Sequence, residues 1–338
     1  MRKLRSLARL LAAGLVVGAA AAAFGGCAAP RTKIPTYWDP VLRPPRPKPV
    51  MDPPPPVVAE VAPRPEPPPP PPPVAPAVAP AFEVEEAPEE CMAIYAVSAE
   101  NRLLAFQPQQ NRFEVRAELD CPTPGWASPF SMAVDREGTA LVLLSNGQLV
   151  KVDLADGACE LTPYKPGQQG FWLFGMGYAP DGGDDDDDAE SLFVTHIPVS
   201  GPSAGLARID TETWRLDVRG TYSEPIGGSM ELTPSGDDGP LFGYALPSPR
   251  VPGTLVEIDA ADARVVRRIP VGAGTGASSL AVAWWGGRFF IFTGEPGFRR
   301  GTTVHRYDPV AEETKVVARF EDEIVGAAVS TCAPDRKP

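Results

Sequence analysis

The sequence predicts an all-β fold, a five-bladed β-propeller of four-stranded antiparallel blades, which follows a proline-rich segment. Three observations lead to this prediction. The composition changes abruptly near residue 90, and a five-residue pattern occurs five times after that point. The last copy of the pattern begins at Gly326, close to the C-terminus, and carries only one strand of its unit.

The recurring pattern is a short apolar stretch that opens on a small residue. Its copies are SMAVD (131–135), GMGYA (175–179), SMELT (229–233), AVAWW (281–285) and GAAVS (326–330). The steps between their first residues are 44, 54, 52 and 45 residues. A period of this length, with several short strands in each unit, is typical of propeller blades. Small residues suit an innermost strand, because inner strands crowd around the central axis.

A second series ends in an acidic residue and lies between the copies of the first. Its members are LVKVD, LARID, LVEID and VHRYD, which end at Asp153, Asp210, Asp259 and Asp308, with LLAFQ (ending at Gln107) as a weaker fifth. Turn-forming residues follow, and an Asp side chain can accept hydrogen bonds from the backbone just ahead of it. Two further β-rich stretches complete each unit, such as TALVLL and CELTP, so each unit supplies four strands.

The two ends of the repeat region complete one blade together. Four units are complete, and the fifth has its inner strand at the C-terminus and its other strands in MAIYAVS, RLLAF and RFEVRAEL. Aligning the units places Cys91 and Cys332 at positions that are consecutive in an unbroken blade. We therefore expect a disulfide that replaces the missing turn, worth about 3–5 kcal/mol in the chain-entropy model.

The other cysteines follow by elimination. With Cys27 used elsewhere, Cys121 and Cys159 are left to pair with each other. Their positions at the end of one outer strand and the start of the next are nominally on opposite faces, so unpaired thiols are the alternative. Persistent disulfides indicate an oxidising compartment.

The N-terminus carries an export signal, which we assign to residues 1–26. Four basic residues precede an Ala- and Gly-rich apolar run that ends in FGGC. This ending resembles the lipobox of bacterial lipoproteins, which implies that Cys27 is acylated and becomes the first mature residue. An ordinary signal peptide that is cleaved at an Ala-x-Ala site is the alternative. Ala28 after the cysteine is similar to the outer-membrane sorting pattern, which implies a lipid anchor in the outer membrane.

Residues 27–90 are predicted to be a disordered linker between this anchor and the propeller domain, residues 91–338. Residues 30–90 hold 23 of the 43 prolines and include PRPEPPPPPPP. Such a segment buries too little apolar surface to offset its ordering entropy. In polyproline II conformation, at about 3.1 Å per residue, it would extend up to roughly 190 Å as a semi-rigid stalk.

The negative net charge argues against nucleic acid as a partner. The formal net charge is −12, and it becomes −16 when the four cations of the signal segment are removed. Such an acidic chain should repel nucleic acids and anionic lipid headgroups. The expected partners are the membrane, through the N-terminal lipid, and an envelope protein or a polysaccharide.

Glu231 is the most informative candidate for chemistry. It occupies an inner-strand column that otherwise holds Ala and Gly, and a carboxylate in a narrow channel is a site candidate. The alternative is a structural Glu that accepts backbone hydrogen bonds. Glycoside hydrolases need two carboxylates. The candidates for the second one are Asp135, on another inner strand, and the loop residues Asp237, Asp238 and Glu295.

Other motifs predict structure more readily than chemistry. GPSAG (201–205) matches the pattern around a catalytic serine, Ser203, with His196 close by in sequence, but it falls between two strands without the required helix. GAGTGA (272–277) lacks the βαβ context of a dinucleotide loop and is predicted to connect two blades. No cofactor is expected.

Metal and sugar sites are weaker possibilities. The insertion DGGDDDDD (181–188) offers calcium ligands at Asp184, Asp186 and Asp188, but it lacks the spacing of a known calcium loop. His196 and His305 are the only histidines. Trp172, Trp284 and Trp285, together with Phe171 and Phe289, form either an aromatic platform for sugars or core between blades.

The segments SMAVDREGTA, FGMGY, SMELTPSGDDGPLFGY, AWWGGRFFIFTG and IVGAAVSTCAP resemble a group of exported bacterial propeller proteins of unassigned function. The resemblance covers about residues 91–334 and implies the fold alone, since propellers host many functions. We expect a lipid-anchored envelope protein that binds or scaffolds without catalysis. A polysaccharide-active hydrolase that uses Glu231 is the alternative.

Overall fold

The structure is a computed structural model that describes residues 88, 91–122, 125–180, 190–198, 203–236, 239–246, 248, 250–296 and 301–335. These residues belong to one compact unit, which spans Pro73–Pro338. Cys27, Asp237, Asp238 and the acidic insertion with Asp184, Asp186 and Asp188 lie outside the described residues. In the described part of the chain, no helix has the length and apolar character needed to cross a membrane.

Twenty strands form five antiparallel sheets of four strands each, which confirms the predicted propeller. Blade 1 orders its strands β20-β1-β2-β3, and the other blades take four consecutive strands each. Blade 1 contains β1 (Ile94–Ser98), β2 (Arg102–Gln107), β3 (Arg112–Glu118) and β20 (Ile324–Ala328). Blade 2 contains β4 (Pro129–Val134), β5 (Thr139–Leu144), β6 (Leu149–Asp153) and β7 (Cys159–Leu161).

The remaining blades repeat the same order along the chain. Blade 3 contains β8 (Phe174–Pro180), β9 (Glu190–His196), β10 (Leu206–Asp210) and β11 (Arg215–Gly220). Blade 4 contains β12 (Ser229–Thr233), β13 (Leu241–Leu246), β14 (Thr254–Asp259) and β15 (Arg264–Pro270). Blade 5 contains β16 (Leu280–Trp285), β17 (Arg288–Gly294), β18 (Thr302–Asp308) and β19 (Glu313–Phe320).

The inner strands β20, β4, β8, β12 and β16 contact one another in that order, and β16 contacts β20, so the ring is closed. A separate hydrophobic cluster fills each of the five interfaces between neighbouring blades. Glycines allow the inner strands to approach closely. A Cβ atom on Gly175 would lie 2.1 Å from the carbonyl oxygen of Met230, and one on Gly326 would lie 2.8 Å from the amide nitrogen of Met132.

Blade 1 joins the two ends of the propeller domain. β20 pairs with β1 in antiparallel register, with Ala327 opposite Ala96. The predicted disulfide joins Cys91 to Cys332, with 5.7 Å between their Cα atoms and a sequence separation of 241 residues. The indole nitrogen of Trp285 in blade 5 donates a 3.1 Å hydrogen bond to the carbonyl of Cys91, so the closure is also fixed from the neighbouring blade.

The second predicted disulfide is also present. Cys121 and Cys159 are bonded, with 4.9 Å between their Cα atoms. Cys121 follows β3 of blade 1 and Cys159 begins β7 of blade 2. Both cysteines pack against the cluster between these two blades, so the bond joins two neighbouring blades at their outer strands.

The acidic series forms the same turn in four blades. The side chains of Asp153, Asp210, Asp259 and Asp308 each accept a hydrogen bond from the backbone two residues ahead, at 2.7 to 3.1 Å. The residue four positions after the acid has positive φ in all of them: Gly157, Trp214, Ala263 and Glu312, with Asn111 in the same place in blade 1. Gly157 is the only glycine in this set, so the other blades hold a side chain in a left-handed conformation.

The strand directions separate these turns from the blade connections. Strands alternate in direction, so the turns after the first and third strands of every blade lie on one face of the ring. We call this surface the acidic face. It carries the turns at residues 135–138, 153–157, 210–214, 259–263, 286–287, 308–312 and 331–335. The opposite surface, which carries the connections between blades, is the connection face.

Closure by the first disulfide predicts a specific loss of stability. Replacing Cys91 and Cys332 with Ala should lower the free energy of unfolding by up to about 5 kcal/mol, because the bond constrains a loop of more than 200 residues in the unfolded chain. Urea unfolding measures the loss, and hydrogen exchange should rise selectively in β1 and β20. The Cys121→Ala and Cys159→Ala double variant is the control, and protection of β1 and β20 should persist in it. Equal exchange of these strands in both variants would contradict the closing role.

The left-handed turn position predicts a stabilising substitution. Glu312 is exposed and has a φ of 52°. Glu312→Gly should raise the free energy of unfolding by up to about 1 kcal/mol, because glycine adopts this conformation without a Cβ clash. Gly157→Ala is the opposite control and should destabilise, since its Cβ would lie 2.5 Å from the Cβ of Ala117. Thermal unfolding of both variants checks the prediction, which fails if Glu312→Gly lowers the melting temperature.

Candidate functional site

Glu231 lies in the middle of inner strand β12 and is only 4% exposed. Its Oε2 atom accepts a 2.7 Å hydrogen bond from the hydroxyl of Ser131, which lies on β4 of blade 2. The backbone amide of Met176, on β8 of blade 3, donates a second hydrogen bond to the carboxyl group. One side chain of blade 4 therefore ties together three inner strands.

Burial raises the pKa of Glu231 well above its usual range, against the two hydrogen bonds, which lower it. Among the described residues, no charged group shifts this pKa. A buried carboxyl without a cation favours its neutral form, because taking a lone charge out of water is costly. The arrangement is the one expected of a structural carboxyl that accepts hydrogen bonds from strands whose inner edges face the axis.

Asp135 lies in the turn after β4, on the acidic face, and does not share a site with Glu231. Its Oδ1 atom accepts a 2.6 Å hydrogen bond from the amide of Thr139 across the turn. Burial raises the pKa of Asp135, and the charge of Glu137 raises it further, against the hydrogen bond from the Thr139 amide. The structure thus places the two sequence-predicted carboxylates at different depths, each with its own hydrogen-bond donors.

Glu190 is a partly buried carboxylate that the sequence did not single out. It begins β9 of blade 3, and its Oε1 atom accepts a 2.7 Å hydrogen bond from the backbone amide of Arg136 in blade 2. Its Oε2 atom accepts another, also 2.7 Å, from the hydroxyl of Thr331 in blade 1. Like Glu231, it bonds to two other blades and so links three, but it does so at the acidic face.

Asp135, Glu137 and Glu190 surround the buried phenol of Tyr178. Burial raises the pKa of Tyr178, and the three carboxylate charges raise it further. Burial also raises the pKa of Glu190, with Asp135 adding to the effect, while its bonds to Thr331 and Arg136 lower it. These mutual effects define an acidic cluster at the channel mouth between blades 1, 2 and 3.

An open cleft lies on the same face, between blades 1 and 2. Its volume is about 840 Å³, and its lining includes three carboxylates, Glu137, Asp153 and Glu160, and two cations, Arg116 and Lys151. Glu137 and Glu160 are exposed. Accessible carboxylates therefore adjoin an open cleft, whereas Glu231 is buried.

The remaining sequence-predicted candidates are not brought together. Ser203 donates a 2.8 Å hydrogen bond to the carbonyl of His196 and accepts one from the amide of Gly205, which is turn structure in the β9–β10 hairpin. GAGTGA connects β15 to β16, as predicted. His305 lies in blade 5, away from His196 in blade 3. Within the described ranges, no group of three or more potential ligands could hold a metal ion.

The aromatic residues do not form one platform. Phe171, Phe289 and Trp285 are buried in cores between blades, whereas Trp172 is 53% exposed on the connection face. Trp284 is half-buried on the acidic face and contacts Phe289, with 4.7 Å between ring centroids. Glu295 accepts hydrogen bonds from Thr303 and Arg319 on the connection side of blade 5.

Sequence reasoning missed Glu190, Thr331 and Met176 for an identifiable reason. Glu190 ends an acidic insertion and looks like its continuation, although its place directly before a strand was a usable signal. Thr331 precedes Cys332, whose alignment with the turn at residues 135–138 could have placed it at the same mouth. The contribution of Met176 is its backbone amide, which no side-chain pattern reveals.

Neither a protein-family model nor a curated protein sequence matches the chain. Solved structures with a similar arrangement include hydrazine synthase from Kuenenia stuttgartiensis, at 14% identity and a TM-score of 0.37, with 70% of this chain and 68% of that chain covered. Regucalcin, a calcium-binding protein from Agrobacterium tumefaciens, has 15% identity and a TM-score of 0.36, with 72% and 75% covered. TolB from Acinetobacter baumannii has 12% identity and a TM-score of 0.38, with 68% and 54% covered, so this chain spans about half of its length. Likenesses at this level carry no argument about function.

The environment of Glu231 predicts a pH dependence of stability. Its raised pKa means that the folded protein keeps a proton that the unfolded chain releases above about pH 4.3. The stability of the wild type relative to Glu231→Gln should therefore fall as the pH rises from about 4.5 towards the folded pKa, by at most about 1.4 kcal/mol per pH unit. Urea unfolding of both proteins from pH 4 to 8 measures the difference. Parallel curves for the two proteins would contradict a neutral buried carboxyl.

Proposed function

We propose that the chain is a non-catalytic binding protein of the bacterial cell envelope, which is anchored through a lipid on Cys27 and engages its partner with the acidic face of the propeller. The observation that carries this proposal is the separation between Glu231 and the accessible groups. Glu231 is buried and hydrogen-bonded to two other blades, while the open cleft and its exposed carboxylates lie on the acidic face.

The chemistry of this face favours a cationic partner. The cleft lining holds three carboxylates against two cations, so it keeps a small excess of negative charge. The net charge of −16 left after the signal segment is removed adds to the attraction for positive charge. Such attraction mainly speeds association and selects the sign of the partner's charge. A basic surface on an envelope protein or an amino-sugar polysaccharide has the required chemistry.

The anchor and the proline-rich segment support the same role. A doubly or triply acylated terminus holds a protein stably at a membrane. A proline-rich linker of about 60 residues, in semi-extended form, allows a domain to reach partners well beyond the lipid surface. Outer-membrane placement remains part of this proposal and rests on Ala28 next to Cys27.

A polysaccharide hydrolase is the second candidate, and one observation favours it. A general acid needs a raised pKa, which Glu231 has. However, a glycosidic bond must reach the acid, and hydrolases place a second carboxylate about 5–10 Å away. The hydrogen bonds from Ser131 and Met176 use the carboxyl of Glu231 for structure instead.

A binding assay with matched variants tests the proposal. The mature chain is immobilised and presented with cell-wall polysaccharides, including amino-sugar polymers, and with solubilised envelope proteins followed by crosslinking. Glu137→Gln with Glu160→Gln should lower retention of the partner at least fivefold, because both carboxylates line the cleft of the acidic face. Doubling the ionic strength should weaken binding of the wild type, since exposed charges are screened.

The control removes the same charge from the connection face. Glu224→Gln with Glu321→Gln changes two exposed carboxylates in connections between blades and should leave retention within twofold of the wild type. Equal losses in both double variants would contradict a specific role of the acidic face. New reducing ends that disappear in Glu231→Gln would overturn the proposal in favour of a hydrolase.

A further inference from the structure

We propose that an aromatic groove between blades 4 and 5 binds a proline-rich segment of the same chain, residues 73–80 (PVAPAVAP), and so holds the end of the linker against the acidic face. The groove has a volume of about 280 Å³. Its lining includes the aromatic rings of Phe242, Trp284, Phe289 and Tyr307. The groove lies on the same acidic face that the proposed function uses, but it shares no lining residue with the cleft between blades 1 and 2.

The walls of the groove suit a polyproline II ligand. Phe289 is at the centre of the aromatic group, with ring centroids 4.9 Å from Phe242 and 4.7 Å from Trp284, both in edge-to-face contact. Phe242, Phe289 and Tyr307 are at most 4% exposed and form the floor of the groove. Trp284 is half-buried, so its ring supplies most of the aromatic surface open to a ligand. Proline-rich segments bind aromatic-lined grooves because their polyproline II helix is already extended, so little conformational entropy is lost.

Polar groups at the groove edge match the exposed carbonyls of such a helix. A polyproline II backbone has no internal hydrogen bonds and therefore presents its carbonyls to the surroundings. Within the described ranges, the Tyr307 hydroxyl makes no hydrogen bond, and it is available as a donor. The guanidinium of Arg267 lies 5.9 Å from the centre of the Phe242 ring and lines the same groove.

The entry point of the chain places the segment within reach. The propeller begins at Cys91, whose carbonyl accepts a hydrogen bond from Trp285, the residue after Trp284. Cys91 and the groove are both at the acidic face, on the two sides of β16. Cys91 follows Pro80 by eleven positions, which corresponds to about 34 Å in polyproline II conformation. The intervening chain therefore only has to pass the turn at residues 286–287.

The composition of the segment fits the groove. Residues 73–80 contain proline, valine and alanine and no charged residue, so the carboxylates of the acidic face do not repel them. Polyproline II has three residues per turn, which puts Pro73 and Pro76 on the same side of the helix. Two prolines on one side can contact the Trp284 ring while backbone carbonyls reach the Tyr307 hydroxyl and Arg267 at the groove edge.

Photo-crosslinking in the full chain tests this inference. A photoreactive phenylalanine derivative replaces Val74, and a second protein carries it at Val57, which also lies between proline-rich stretches. Mass spectrometry then locates the adducts. We expect at least fivefold more adduct on peptides that contain Trp284 or Tyr307 from position 74 than from position 57. Equal yields from both positions would overturn the proposal.

Matched variants separate specific binding from chance proximity. Pro309→Glu places a charge at the groove, whereas Pro296→Glu places the same charge on the connection face. The first should lower the groove adducts at least fivefold, and the second should leave them unchanged, with melting temperatures measured for both. Tyr307→Phe should lower them two- to tenfold through loss of its hydroxyl donor. Groove adducts that do not change in Pro309→Glu and Tyr307→Phe, or that fall equally in Pro296→Glu, would overturn the proposal.

Isotope mixing identifies the source of the segment. A one-to-one mixture of nitrogen-15-labelled and unlabelled chains is crosslinked in the same way. Adducts in which both peptides carry the same label support binding within one chain. Adducts that mix labelled and unlabelled peptides would overturn it, because they would mean that a second copy supplies the segment.

Discussion

The convergence of five inner strands on one axis is the constraint on which the rest of the structure depends. A Cβ atom on Gly175 would lie 2.1 Å from the carbonyl oxygen of Met230, so any larger residue would push two blades apart. The same limit applies at Gly326, where β20 approaches β4. The small residues of the repeat thus set how tightly the ring closes, and the five clusters between blades follow from that spacing.

Close approach creates a second requirement, because the inner edge of each inner strand presents backbone polar groups to a narrow, dehydrated axis. An unpaired buried donor is costly. Glu231 meets this requirement by accepting hydrogen bonds from the Met176 amide and the Ser131 hydroxyl. The carboxyl of Glu231 is buried as a result, and burial raises its pKa. Glu190 makes an analogous bridge at the acidic face, where partial exposure moderates the same effect.

Antiparallel order gives the molecule two chemically different faces. The third strands of blades 2 to 5 each end in an Asp and run in the same direction, so these four carboxylates gather on one side of the ring. The chain also enters the propeller on that side, through Cys91. The acidic face therefore carries the cleft, the aromatic groove and the junction with the proline-rich segment, while the connection face carries exposed Trp172 and the glycine-rich connection between blades 4 and 5.

The sequence by itself determined the number of blades, the strand order and the pairing of Cys91 with Cys332. These depend on the period of small and apolar residues and on chain connectivity, which a linear pattern records directly. It also predicted the turn role of Asp153 and its counterparts, since an Asp side chain bonds to its own neighbouring backbone. The bond between Cys121 and Cys159 followed only by elimination, because its geometry depends on how two neighbouring blades pack.

Only the tertiary structure decided the roles of Glu231, Asp135 and Glu190. Ser131 lies 100 residues before Glu231, and the Met176 amide belongs to another blade, so the contacts that make Glu231 structural have no local signature. The sequence grouped Asp135 with Glu231 because both belong to inner-strand repeats. The depth of each carboxyl along the central axis, however, depends on how far the inner strands are shifted relative to one another. Burial and long-range hydrogen bonding set the pKa and accessibility of each carboxyl, and both are properties of the closed ring.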